Sequence, residues 1–331
     1  MPTGIDLPLI SIICPVFNEQ EAVPLFYERL RRVKQALSDR YSFELIFTNN
    51  RSTDGTLNAI LELRKSDPSV QVVTLSRNFG YQASIQCGLS NASGHAMTVI
   101  DVDCEDPPEL VSQFLAKWEE GYDIVYGIRQ DRPEAWPLKK LRNGFYRILR
   151  ATADMDIILY MAEFALIGAN VRDSIINNHN TFPFLRSEIG YAGFSRYGIE
   201  YTRQPRIAGQ THYNLSRMSA FAIGGILSSS TFLLRAAAYL WPVLVVLNIA
   251  LLTVFASNTA FRVLVAIDLL WVAWLVTVHG LYIARIYKNG IGRPVFIVDR
   301  RLTVLNDRSS ATTDLSSTGL LPPAARSHSD G

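Results

Sequence analysis

Cysteine is scarce in this sequence: 331 residues hold only Cys14, Cys87 and Cys104. Three thiols cannot build a disulfide framework, and their scarcity fits a reducing compartment. A charge excess is missing too. Lys and Arg total 32 against 30 Asp and Glu, for a formal charge of +2, which excludes the broad basic footprint of a general nucleic-acid binder. No glycine-rich phosphate loop occurs, neither GxGxxG nor GxxxxGK(S/T), so phosphate would have to be handled by a metal ion and arginines. Residues 1–8 lack the basic start and apolar run of a signal peptide, and no internal repeat is visible. What is present is apolar: 48% hydrophobic against 19% charged residues excludes a disordered chain. At about 150 residues per domain, the length suggests roughly two structural units.

The apolar residues are unevenly spread. The stretch 236–256 carries no charge, and 263–284 carries one Asp and one His. Each is about 21 residues, enough to cross a hydrocarbon core of about 30 Å. A soluble core helix of that length shows a polar face, which these lack. The loop 257–261 is short and uncharged, while Arg217 and Arg235 precede the pair and Arg285, Lys288, Arg293, Arg300 and Arg301 follow it. The positive-inside rule then puts both termini in the cytoplasm, with Arg262 snorkelling at the far edge. On that topology the sequons at Asn50, Asn91 and Asn214 stay unused. Asn248 and Asp268 would reach similar depth in a tight hairpin and could hydrogen-bond, as an ion or lipid relay or as a helix–helix contact.

The first 210 residues alternate strand and helix. Strands are predicted over 10–16, 43–48, 70–75, 96–100 and 122–126, with helices over 20–37, 55–65, 81–91 and 107–120. Short connections make this an α/β fold with a doubly wound, mostly parallel sheet. Ligands bind such sheets beyond the carboxyl ends of the strands. Those ends carry Pro15, Asn18 and Glu19; Asn49, Asn50 and Asp54; Arg77 and Asn78; Asp101, Asp103, Glu105 and Asp106; and Arg129. Asp101 and Asp103, two residues apart on a strand, would share a side. Paired carboxylates suit Mg²⁺ or Mn²⁺, which can bridge a diphosphate and neutralise a departing one. Residues 137–150 hold five basic residues and no acid, with Leu138, Leu141, Phe145, Ile148 and Leu149 on one helical face. That pattern predicts an interfacial amphipathic helix; 217–234 predicts a second surface helix before the first span.

The order of these pieces resembles family 2 glycosyltransferases with a GT-A fold, in the polyprenyl-phosphate branch of dolichol-phosphate mannose synthases and bactoprenol glucosyltransferases. The matching segments are PVFNE at 15–19, STDGT at 52–56, LSRNFG at 75–80, DVDCEDPPEL at 101–110, YDIVYGIR at 122–129, FYRILR at 145–150 and GRP at 292–294, together with the two spans. The resemblance implies inverting transfer of a sugar from a nucleotide-sugar, a UDP-sugar such as UDP-glucose favoured, to a polyprenyl phosphate at a membrane. It implies nucleotide-sugar contacts from Pro15, Asn18, Glu19, Asn49, Asn50, Asp54, Arg77 and Asp101. It implies catalytic roles for Asp103, Glu163 and Arg129, and a Mg²⁺ or Mn²⁺ ion on Asp101 and Asp103. Glu105 is either a third ligand or a solvated acid. Arg206, His212 and Arg147 are the candidates for the acceptor phosphate. The expected layout is a cytoplasmic catalytic domain over 1–212, an interfacial helix over 213–235, two transmembrane helices within 236–286, a cytoplasmic basic segment over 287–306 and a disordered tail over 307–331. A homo-oligomer is expected, and no nucleic acid.

The chain departs from the family pattern in places. Asn49 and Asn50 stand where two Asp are usual, which leaves the nucleotide base open. The usual Gly-Asp-Phe-Arg-Leu is Ala162-Glu163-Phe164-Ala165-Leu166, and the usual Ser-Lys-Tyr is Thr211-His212-Tyr213. The competing expectations are a catalytically degenerate nucleotide-sugar-binding partner and a polysaccharide synthase-like transferase. Against the latter, no QxxRW-type motif is present.

Overall fold

The structure is a computed structural model that describes residues 7–130, 140, 154, 161–178, 180–208, 224, 227, 230–254 and 258–306. The segments 141–150 and 209–223, which include Arg147 and His212, lie outside the described residues.

Seven strands form one sheet in the order β3-β2-β1-β4-β6-β5-β7. They are β1 (Leu9–Val16), β2 (Ser42–Asn49), β3 (Val70–Thr74), β4 (Ala96–Val99), β5 (Ile124–Arg129), β6 (Met161–Gly168) and β7 (Arg196–Tyr201). The helices of the sheet domain are α1 (Ala22–Ala36), α2 (Thr56–Ser66), α3 (Tyr81–Asn91), α4 (Val111–Glu119), α5 (Ala169–Ile176) and α6 (Leu185–Ala192). Strands β1 to β4 pair in parallel, as the strand–helix alternation predicts. Strand β6 enters antiparallel between β4 and β5, and β7 closes the far edge parallel to β5.

Alternation along β1 divides the core. Ile10, Ile12 and Cys14 pack on one face with Phe26 and Leu30 of α1, Ile60 of α2 and Phe114 of α4. Ile13 packs on the other with Ile85 and Leu89 of α3, Val171 of α5 and Leu185 of α6. The sheet is therefore covered on both sides, which is why its strands read as apolar runs. Helix α3 lies so close to β1 that a Cβ on Gly88 would sit 2.2 Å from Ile13 Cγ2. Only glycine allows that approach.

Two long helices follow, α7 (Phe232–Val254) and α8 (Asn258–Ile291). Their windows Phe232–Leu251 and Phe261–Ile291 have mean hydropathy 1.8 and 2.0, and only 6% and 11% of them is buried. They are long and apolar enough to cross a membrane, and they are not core helices of the sheet domain. Asn248 Nδ2 donates to Asp268 Oδ1 at 3.0 Å between them, the pairing expected from their depth.

Candidate functional site

The loops after β1 and β2 are stitched together. Asn18 takes a left-handed backbone, φ 57°, which Asn tolerates better than most residues. Its Oδ1 accepts from Thr53 N–H at 2.8 Å, and its own N–H donates to Ser52 Oγ at 3.0 Å. Glu19 N–H donates to Thr56 Oγ1 at 2.8 Å, and Asp54 Oδ1 accepts from Thr56 N–H at 3.0 Å. Pro15 lies within β1, paired with Thr48.

Asn49 and Asn50 are buried, and their amides fasten the strand ends to one another. Asn49 Oδ1 accepts from Ser52 N–H at 2.9 Å, and its Nδ2 donates to Thr74 Oγ1 at 3.4 Å. Asn50 Oδ1 accepts from Phe79 N–H at 2.9 Å, and its Nδ2 donates to Asn78 Oδ1 at 3.1 Å. The exposed side chain beside them is Arg51, which the sequence reading passed over. Arg77 lies 3.8 Å above the Phe79 ring and donates to the Asn78 carbonyl at 3.0 Å.

The acidic pair sits beyond the strand, not on it. β4 stops at Val99, so strand alternation does not orient Asp101 and Asp103; a turn with Cys104 at φ 57° does. Asp101 Oδ1 accepts from the Tyr81 hydroxyl at 2.7 Å. Burial, with the charges of Asp103 and Asp106 beside it, pushes the Asp101 carboxyl up to about 7. Burial also raises Asp103, against the pull of Arg206. Arg206 Nη2 meets Asp103 Oδ2 at 2.9 Å, and its Nη1 meets Glu19 Oε1 at 3.2 Å. Glu105 pairs with Arg203 and lies 3.9 Å from Arg206 Nε. The backbone follows: Ile207 N–H donates to Asp103 O and Gln204 N–H to Glu105 O, both at 2.9 Å.

Arg129 is held deep in this loop. It forks onto Asp106 at 3.2 and 2.7 Å and donates to the Tyr201 hydroxyl at 3.1 Å. Burial works against its charge, but Asp106 and Tyr201 overcome it and raise Arg129 above its ordinary value. Asp106 is only 2% exposed. The resemblance implies a catalytic role for Arg129; in the structure its partners are Asp106 and Tyr201.

Glu163 reaches the same edge from β6. Val99 pairs with Ala165 in the antiparallel ladder, and Glu163 lies on β6 two residues beyond that pair. It is buried, and Arg186 Nε from α6 meets its Oε1 at 2.8 Å. The sequence offered no signal for Arg186, because only the packing of α6 brings it there.

Among the described residues, no three acid, histidine or cysteine side chains converge as a ready-made metal site. The chemistry of the set still suits a hard cation. Asp101 and Asp103 are carboxylates whose charge is disfavoured chiefly by burial, a cost that a bound cation would offset, and oxygen donors are what Mg²⁺ and Mn²⁺ take.

Residues 11–188 match glycosyl transferase family 2. The chain is 34% identical over 311 residues to the uncharacterized glycosyltransferase YkcC of Bacillus subtilis (strain 168), covering 90% of this chain and 95% of that one. It is 32% identical over 305 residues to the prophage bactoprenol glucosyl transferase homolog of Escherichia coli (strain K12), covering 88% and 98%. It is 32% identical over 303 residues to the bactoprenol glucosyl transferase of Shigella phage SfV, covering 87% and 97%. With the family matched over half of its length and such relatives aligned almost end to end, the chain belongs to glycosyl transferase family 2 and is a glycosyltransferase.

Proposed function

We propose that this enzyme transfers a sugar from a nucleotide-sugar, UDP-glucose the favoured donor, to a polyprenyl phosphate with inversion at the anomeric carbon. The product is a lipid-linked sugar for cell-envelope or glycan modification. The observation that carries the reading is an acidic strand-end site in a domain tied to an apolar helical hairpin. The far end of α8 docks on the sheet domain: Asn289 Oδ1 accepts from Thr181 N–H at 3.1 Å, and Arg285 and Lys288 lie 4.8 and 5.2 Å from the Phe182 ring centre. The segment beyond it pairs with β3. The start of α7 meets the far end of α8, where the Tyr282 hydroxyl donates to Ser230 O at 2.6 Å, and α8 docks on the sheet domain, which supports a two-span anchor with catalytic domain and termini on the cytoplasmic side. The names of the bactoprenol relatives support a lipid acceptor.

The acceptor is a phosphate monoester with a second pKa near 6, largely dianionic at pH 7. It needs little help from a base. The task is to hold two anions together and stabilise the leaving diphosphate. Asp101 and Asp103 would hold Mg²⁺ or Mn²⁺, with Glu105 as third candidate, and the ion when bound would neutralise charge on the diphosphate. Asn18, Glu19 and Asp54, in the stitched β1–β2 loops, shape the donor pocket with Pro15, Asn49, Asn50 and Arg77. Arg206, which spans Glu19 and Asp103, lies at the boundary between donor and acceptor and is a candidate for the acceptor phosphate, as are His212 and Arg147. Arg129 acts through Asp106, keeping the acidic loop in shape. Glu163, held by Arg186, is the candidate base or sugar-hydroxyl contact.

Purified protein in detergent, given a short polyprenyl phosphate, Mg²⁺ or Mn²⁺ and a panel of labelled UDP- and GDP-sugars, tests this. Label from one donor should enter the organic phase and be lost with EDTA. No label from any donor, with nucleotide still bound, would instead favour a catalytically degenerate binding partner.

A further inference from the structure

The chain after α8 returns to the sheet and reaches the donor side. Val72 and Val304 exchange backbone hydrogen bonds at 2.9 and 2.8 Å, and Ser76 N–H donates to Ile297 O at 2.8 Å. Thr74, the last residue of β3, is gripped by this tail. Its N–H donates to Thr303 Oγ1 at 3.0 Å and its hydroxyl to Leu302 O at 2.7 Å. Its carbonyl accepts from Asp299 N–H at 2.8 Å. The same hydroxyl accepts from Asn49, so the tail buttresses the loop after β2. At the top of this ladder Asp299 Oδ2 meets Arg51 Nη1 at 3.1 Å, across 248 residues of sequence.

Arg51 has φ 62°, a conformation that a residue with a Cβ adopts only when its surroundings impose it. Its neighbours in the loop are spoken for. The Asn49 and Asn50 amides hold strand ends, Ser52 and Thr53 bond Asn18, and Asp54 bonds Thr56. The Arg51 side chain passes over the carboxyl end of β3 to reach Asp299, where the pocket for a nucleoside would have its rim. A guanidinium held on one edge by a carboxylate keeps further N–H donors for base carbonyls and a flat face for stacking.

We infer that Arg51 contacts the nucleoside of the donor and that Asp299, on the tail beyond the membrane hairpin, is the positioning residue that sets it. This rests on the donor-binding reading above. Asn49 and Asn50 then shape the loop, and nucleotide preference is read by a side chain whose position the C-terminal tail controls.

The test is UDP and GDP binding to full-length protein in detergent, with thermal melting alongside. Asp299→Asn and Arg51→Ala should each weaken the nucleotide that wild type prefers by about tenfold. The double variant should bind no worse than Arg51→Ala alone, because the two act as one unit. The KM for polyprenyl phosphate should not move, and Asp299→Glu should recover part of the affinity. Val304→Ala, which loosens the tail away from the pair, should lower the melting midpoint and leave nucleotide affinity intact. Wild-type affinity in Asp299→Asn, additive losses in the double variant, or an equal loss in Val304→Ala would each overturn the inference and leave the donor reading standing. Wild type that binds neither nucleotide would overturn both.

Discussion

Asp67 shows how a single side chain makes stability depend on pH. Burial opposes its charge, but the Lys34 ammonium at 2.7 Å and the Ser69 hydrogen bonds hold its carboxyl down at about 2. A carboxylate whose folded pKa lies below its unfolded value of about 3.9 stabilises the fold above that value and loses the contribution as pH falls toward 2. Wild type should therefore lose about 1–2 kcal/mol relative to Asp67→Asn between pH 5 and pH 2, after allowing for partial solvent screening, as read from urea midpoints. At the site, Asp103→Ala should abolish transfer while nearly native circular dichroism persists. Near-normal turnover in that variant would sink the metal assignment. The identities of these residues were legible in the sequence: Asp101 and Asp103 stand out as acids after an apolar run, and Glu163 through the family resemblance of its segment. Their partners were not. Arg206, Arg129 and Arg186 meet Asp103, Asp106 and Glu163 from elements 23 to 103 residues away, as in Arg129 with Asp106 and Arg206 with Asp103.

At the scale of elements, the parallel half of the sheet was readable because each buried strand is an apolar run and each helix shows a 3.6-residue stripe. The strand predicted over 96–100 ends at Val99, and the one predicted over 122–126 runs instead from Ile124 to Arg129, carried on by its pairing with β7. Strands β6 and β7 were not predicted. Antiparallel insertion of β6 depends on which neighbours it meets, and no local pattern encodes that. Two substitutions probe the packing. Gly88→Ala should cost about 1–3 kcal/mol, because its Cβ collides with Ile13 and α3 must lift from β1. Phe26→Ala should cost about 3–5 kcal/mol, since Phe26 is fully buried between α1 and the sheet against Phe47. Chemical denaturation of both variants checks the order.

For the whole molecule, the membrane reading predicts which positions share a side. The native cysteines are buried, so single cysteines report cleanly. In sealed right-side-out vesicles, Asn258→Cys should react with an impermeant maleimide and Asn306→Cys should not; inside-out vesicles should reverse the result. Labelling of both from one side would overturn the hairpin. The two helices themselves were plain in the sequence, because hydropathy over a span of about 20 residues is a local property that does not depend on what packs where. The Asn248–Asp268 pair was also foreseeable, since a short loop sets both depths. The segment 287–306 read only as basic and cytoplasmic. Its pairing with β3 and its reach to Arg51 come from a return across the domain, and spacing along the chain carries no record of that.

Sequence alone was enough for the α/β class, the acidic strand-end motif, the apolar hairpin and, through motif order, the family. Each depends on residue type within a short window, where periodicity and composition act directly. Tertiary structure alone decided which arginine neutralises which acid, that Asn49 and Asn50 turn inward, and that the tail completes the edge beside β3. Those outcomes depend on contacts between distant segments, and a buried polar group accepts whichever partner the packing brings within hydrogen-bond reach.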